Sequence, residues 1–62
     1  MNLLRIKSKF NGEVIINKDL ITILVPRTSL GKDSVIINFV GEDVVEVEGT
    51  LDEVYDKLMG VN

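Results

Sequence analysis

The sequence predicts an α+β fold, with an antiparallel meander of about five short strands, flat or curled, followed by one C-terminal helix. Val, Ile and Leu supply most of the 45% hydrophobic fraction and alanine is absent, which favours sheet over helix. Short alternating runs are separated by Gly, Asn and Asp turn signals. The clearest helical spacing lies at the end of the chain. With 62 residues, we expect one domain, 1–62.

The first elements form a hairpin. The run from Leu3 to Phe10 alternates apolar and basic residues, and Asn11-Gly12 after it is the strongest short hairpin signal. We expect a two-residue type I′ turn there, followed by a short strand over Glu13–Ile16. That register would place Val14 and Ile16 on the same face as the lysines of the first strand.

The central strand, from Asp19 to Pro26, is the element around which we expect the rest to be organised. It should be apolar on both faces, because alternation groups Ile21 with Ile23 and Val25, and Leu20 with Thr22 and Leu24. Proline has no N–H to donate, so Pro26 is expected to end this strand. Arg27 to Ser34 then reads as the longest loop of the chain.

Two further strands follow, over Val35–Val40 and Asp43–Glu48. A two-residue loop at Gly41–Glu42 would put Glu46 and Glu48 on one face with Val35, Ile37 and Phe39, and leave Ile36, Val40, Val45 and Val47 as the core face. A three-residue loop at Gly41–Asp43 would reverse the two faces. The sequence leaves both alternatives open.

The last element is a helix that begins with a capping box, in which Thr50 and Glu53 satisfy each other's backbone amides. Gly60 suits the left-handed residue that ends such a helix. An apolar stripe at helical spacing should face the sheet; it consists of Leu51, Val54, Tyr55 and Leu58.

Composition narrows the chemistry. There is no Cys and no His, which excludes disulfides and catalysis by either residue and leaves carboxylates as the side-chain metal ligands. A catalytic serine would need a Lys or carboxylate as its base, and no spacing in the sequence suggests one for Ser8, Ser29 or Ser34. Two carboxylates can hold a divalent cation or transfer protons, but Glu42, Asp43, Glu46 and Glu48 are better explained as a charged strand edge and a solvated turn. We therefore expect no enzyme activity and no cofactor.

Location and partners follow from charge and hydropathy. The net charge of −3 disfavours nucleic acid and anionic membrane surfaces. No apolar run approaches the roughly 20 residues that span a bilayer, and the first ten residues are interrupted by basic side chains. We expect a cytoplasmic protein without membrane insertion. The alternative partner is RNA or DNA, contacted by Arg5, Lys7 and Lys9, which could equally form a solvated face or pair with Glu46 and Glu48.

Self-association is the expected source of additional stability. A domain of this length buries only roughly 60% of its unfolded surface, and the usual remedies are disulfides, metals or oligomerisation. One helix cannot cover two apolar sheet faces, so we expect a homo-oligomer or a protein partner on the sheet, against the alternative of a monomer with a few exposed aliphatic residues. The candidate surface comprises Leu20, Leu24, Val35, Ile37 and Phe39.

Two families share turn and cap motifs with the chain. Phe10-Asn11-Gly12, Ile15–Ile21 and Val47–Val54 resemble the small flagellar and swarming-motility proteins of the FlbD type. The resemblance implies a bacterial or phage-like accessory protein that acts through contacts with partners. Gly12–Ile16 and Asp52–Leu58 are similar to parts of the carbon-storage regulators, which are small dimeric RNA-binding proteins. The RNA-contacting arginine that this family has before the helix has no counterpart here, because the segment 46–49 is acidic.

Overall fold

A computed structural model describes residues 2–60, in which five strands form two antiparallel sheets and one helix follows them. The first sheet pairs β1 with β2, and the second has the order β3-β4-β5. The predicted α+β class with a C-terminal helix is confirmed. The elements are β1 Leu3–Ser8, β2 Gly12–Asn17, a 3-10 turn Lys18–Leu20, β3 Ile21–Ser29, β4 Lys32–Phe39, β5 Val44–Glu48 and α1 Leu51–Met59.

One core joins the two sheets and the helix. The Lys9 N–H donates to the Glu46 carbonyl at 2.7 Å, so the end of β1 lies against β5 and the strands curl around a shared interior. The buried residues come from both sheets and from α1. They are Ile6, Ile16, Val35, Ile37, Val47, Val54 and Leu58.

The first hairpin turns over Lys9–Asn11, one residue longer than the predicted two-residue turn. Gly12 takes a positive φ of 68° immediately afterwards. The buried Ser8 hydroxyl donates to the Gly12 carbonyl and accepts from the Asn11 N–H, both at 2.9 Å. These two hydrogen bonds fix a turn that the Asn-Gly signal alone did not predict.

This longer turn changes the register of β1 and β2. Ile6 pairs with Val14, and Leu4 pairs with Ile16. Val14 and Ile16 therefore lie on the core side with Ile6, and the prediction that they share the lysine face was wrong. A shift of an odd number of residues in a hairpin moves every side chain of one strand to the other face.

Pro26 does not end β3. It pairs with Val35, and the strand continues to Ser29, so the predicted loop from Arg27 to Ser34 is instead a paired hairpin arm. Among residues 2–60, β3 is at the edge of its sheet, with β4 as its one paired neighbour, and a proline can be accommodated on the unpaired side of an edge strand. Leu30 and Gly31 form the turn, with φ of 52° and 75°.

A β-bulge near the start of β3 regroups its two faces. The register shifts between Ile21, which pairs with Phe39, and Ile23, which pairs with Asn38. Ile21 and Leu24 consequently pack against the core, while Ile23 is exposed. The strand is apolar on both sides, as expected, but the predicted grouping of Ile21 with Ile23 was wrong.

The β4–β5 hairpin has the face assignment expected for a three-residue loop. Val35 and Ile37 are on the core face, and Glu46 is on the opposite face. Ile37 pairs with Val45 and Val35 with Val47, and both Val35 and Ile37 are 0% exposed. We call the side of this sheet that faces the core the inner face, and the opposite side the outer face.

The helix forms as its capping residues predict. The Glu53 N–H donates to Thr50 Oγ1 at 3.2 Å, and the Thr50 N–H donates to Glu53 Oε1 at 2.8 Å. Gly60 ends the helix in the left-handed region. Lys18 Nζ donates to the Leu58 carbonyl at 2.8 Å, which ties the helix end to the 3-10 turn. Among residues 2–60, no helix has the length and apolar character that crossing a bilayer requires.

Candidate interaction surface

The outer face of the three-stranded sheet carries exposed apolar side chains grouped around the polar Asn38. The register places Ile23, Asn38 and Val44 in one row across the strands, and Val25, Ile36 and Glu46 in the next. Neighbouring strands lie about 4.8 Å apart, so side chains within a row contact each other, and successive rows on one face are about 7 Å apart, within reach of long side chains. Ile23 is 57% exposed, Val25 41% and Val44 59%. We call Ile23, Val25, Ile36 and Val44 the outer patch.

The outer patch replaces the surface predicted from the sequence. Val35 and Ile37 are fully buried and cannot contact a second molecule, so their assignment to a self-association surface was wrong. Leu24 and Phe39 are half-buried against the core, and Leu20 remains 46% exposed. Two pieces of information missing from the sequence would have identified the outer patch: the register of the last hairpin and the position of the β3 bulge.

A polar cluster borders the outer patch where β5 meets the first hairpin. Ser34 is 4% exposed, and its hydroxyl donates to Glu46 Oε2 at 2.7 Å. Lys9 Nζ lies 3.5 Å from the same oxygen. The sequence analysis offered pairing of Lys9 with Glu46 as an alternative but did not indicate the part of Ser34, because the three residues come from the first turn, β4 and β5.

The cluster keeps Glu46 ionised. The hydrogen bond from Ser34 lowers the pKa of the Glu46 carboxyl, as do the charges of Lys9 and Arg27, while partial desolvation opposes them. A carboxylate with a lowered pKa is a weak proton acceptor, and the buried Ser34 hydroxyl is already committed to it. The arrangement therefore holds the hairpins together, and it is poorly suited to activating Ser34 as a nucleophile.

Acidic side chains lie next to the three basic residues of the first hairpin, Arg5, Lys7 and Lys9, and offset their positive charge. Arg5 Nε lies 3.7 Å from Glu13 Oε1, with both side chains largely exposed. Lys9 pairs with Glu46, as the alternative to a nucleic-acid contact predicted, and lies 5.4 Å from the centroid of the Phe10 ring. Lys7 lies opposite Glu13 in the register. Such pairing weakens the positive potential that a phosphate backbone needs.

The carboxylates considered as metal ligands are dispersed. Glu46 is engaged by Ser34 and Lys9. Glu42 lies in the β4–β5 turn with a φ of 69°. Within the described range 2–60, no three His, Cys, Asp or Glu side chains are grouped so that they could hold a metal ion.

A second apolar feature lies at the base of the β3–β4 hairpin, between β2, the 3-10 turn and the β4–β5 turn. We call it the basal groove. The Val40 N–H donates to the Leu20 carbonyl at 2.9 Å and shapes one wall. The groove is lined by Ile15, Ile16, Leu20, Phe39, Val40 and Val45, with Asn17 and Asp43 adding polar atoms.

Comparisons with protein-family models, with curated proteins and with solved structures find no match for this chain.

Proposed function

We propose that the chain is a small non-enzymatic interaction module whose copies pair face to face through the outer patch. The observation that carries this proposal is the exposure of Ile23, Val25 and Val44 on one side of a sheet whose other side contributes Val35, Ile37 and Val47 to the core. Burying a large apolar side chain contributes roughly 1.5–3 kcal/mol, so a domain with a small core gains substantially from covering these residues.

The charges beside the outer patch suit a two-fold axis that runs parallel to β4, between the outer faces of the two copies. Arg27, Ser34 and Glu48 form the row next to Val25, Ile36 and Glu46. Rotation about that axis keeps each row level and exchanges β3 with β5. Arg27 of one copy then faces Glu48 of the second copy, and Ile23 faces Val44. Ile36 and Asn38 each meet their own equivalents, and Val25 faces Glu46, whose carboxylate is held by Ser34 and Lys9 of its own chain. The Arg27–Glu48 and Ile23–Val44 pairs are thus each formed twice, as an isologous dimer requires.

Sedimentation of three proteins tests the use of this face. At about 50 μM, well below the millimolar range in which weak contacts form, we expect the unmodified chain to sediment as a dimer. Ile23→Lys should be monomeric because it buries a charge in the contact. Leu3→Lys is the matched control, since Leu3 is 58% exposed and Ile23 57%, and it should remain dimeric.

A charge exchange tests the axis. Arg27→Glu sets like charges against Glu48 and should weaken the dimer several-fold, and adding Glu48→Arg should restore it. An unmodified chain that stays monomeric, or an Ile23→Lys variant that dimerises normally, would overturn the proposal. Failure of the double variant alone would reject the axis along β4.

A further inference from the structure

The tip of the β3–β4 hairpin exposes a leucine in an unfavourable backbone conformation. Leu30 is 99% exposed and has a φ of 52°, and Gly31 follows with a φ of 75°. Two successive residues with positive φ form the turn that Asn-Gly and Asp-Gly favour, because side chains with a full Cβ substituent are strained there. Neither the turn nor the core of this chain explains a leucine at this position.

The basal groove lies at the opposite end of the same hairpin. β3 and β4 are paired continuously from Ile21 and Phe39 to Ser29 and Lys32, apart from the bulge. Eight residue steps of about 3.3 Å separate these ends by roughly 25 Å, so Leu30 cannot fold back onto the groove of its own chain. The groove of a second copy is open, because Val40 is 62% and Leu20 46% exposed.

The charges next to the two features are opposite. Lys32 follows the tip two residues after Leu30, and Asp43 lies in the groove lining. A tip that enters the groove would bury an apolar side chain and bring an ammonium group towards a carboxylate. Complementary charge of this kind favours one orientation of approach over others.

We propose that Leu30 of one copy inserts into the basal groove of another. The occupant is thus a second copy of this chain, and the contact is head-to-tail, which builds rings or linear arrays of molecules. The inference deepens the proposed self-association but uses residues outside the outer patch. One inserted leucine covers little area, so the contact should be weaker than the face-to-face dimer.

Concentration-dependent NMR shifts test the contact in the Ile23→Lys background, which removes the outer-patch dimer. Raising the concentration from about 0.05 to about 1 mM should shift the amide signals of Gly31 and Val40, and leave Leu3 unchanged. Adding Leu30→Asn should abolish these shifts. Asparagine is favoured in this turn, so the doubly substituted protein should melt at the same temperature or higher, which separates loss of contact from loss of folding.

A mixing experiment identifies the two halves of the contact. Isotope-labelled Ile23→Lys/Leu30→Asn retains the groove, and unlabelled Ile23→Lys/Val40→Lys retains the tip. Mixed at about 1 mM, they should shift the groove signals of the labelled protein, whereas added unlabelled Ile23→Lys/Leu30→Asn should not.

Three results would overturn the insertion: no concentration-dependent shifts in Ile23→Lys, shifts that persist in Ile23→Lys/Leu30→Asn, or no response on mixing. None of these depends on the dimer at lower concentration, so failure of the insertion and failure of the face-to-face proposal are distinguishable.

Discussion

The inner and outer faces of the three-stranded sheet are built from the same residue types but have different environments. On β4, Val35 and Ile37 are fully enclosed, while the intervening Ile36 points to the outer face. The helix and the first hairpin cover the core side, while Ile23, Val25 and Val44 remain exposed on the other side. Hydrophobicity alone therefore does not identify the core of this sheet, because the covering elements decide which aliphatic residues lose contact with water.

The largest difference between the faces should appear on truncating one isoleucine from each. Ile37→Ala should lower the free energy of unfolding by about 2–5 kcal/mol, because it leaves a cavity in a packed core. Ile23→Ala on the outer face should change it by less than about 1 kcal/mol. Urea unfolding at low protein concentration, where dimers do not contribute, measures both. Equal losses would show that the faces are not distinct.

A smaller effect should follow from loosening the helix that covers the inner face. Thr50→Ala removes the cap on the Glu53 N–H and should cost about 1 kcal/mol. The control is Thr28→Ala, because the Thr28 hydroxyl donates to Asp33 on the exposed hairpin arm, away from the helix cap. Thermal unfolding of the two variants should give a lower midpoint for Thr50→Ala. Similar midpoints would argue against the helix as a cover for the core.

The smallest effect should be on the acid dependence of stability, at the polar end of the outer face. The pKa of Glu46 is lowered in the folded protein, chiefly by the hydrogen bond from Ser34. Between the folded and unfolded pKa values the unfolded chain binds more protons, so stability falls as the pH drops from the usual carboxyl range through the folded-state pKa.

Ser34→Ala should make this loss shallower, as measured by unfolding between about pH 7 and pH 3. Glu53 is a useful internal reference, because hydrogen bonds from the Thr50 backbone and side chain lower its pKa and Ser34→Ala leaves them intact. An unchanged pH profile in Ser34→Ala would remove Glu46 as a contributor.

Local signals were sufficient to predict the class of fold and the helix. Thr50, Glu53 and Gly60 act through neighbours a few residues away, so their roles can be read directly from the chain. Pro26 was misread because its effect depends on whether a strand lies at an edge, which is a property of the whole sheet. The first turn was misread because Ser8 fixes it by two side-chain hydrogen bonds.

The candidate surface was predicted only in part, because its exposed residues are also determined by pairing between strands that are distant in the sequence. That β3 is apolar on both sides is visible in its composition, and the structure retains this property. Which residues are exposed depends on the bulge between Ile21 and Ile23 and on the parity of the last hairpin. Both are set by pairing between strands, and a shift of one residue exchanges the faces completely.

Pro26 has a further consequence for the solubility of the chain. The segment from Ile21 to Val25 combines high β-propensity with no charge, which is typical of short aggregation-prone windows. β3 would present that segment on an open edge of the sheet. Pro26 and Arg27 follow it directly and act as gatekeepers, since one cannot donate a backbone hydrogen bond and the other adds charge. They disfavour the growth of cross-β fibrils from this edge.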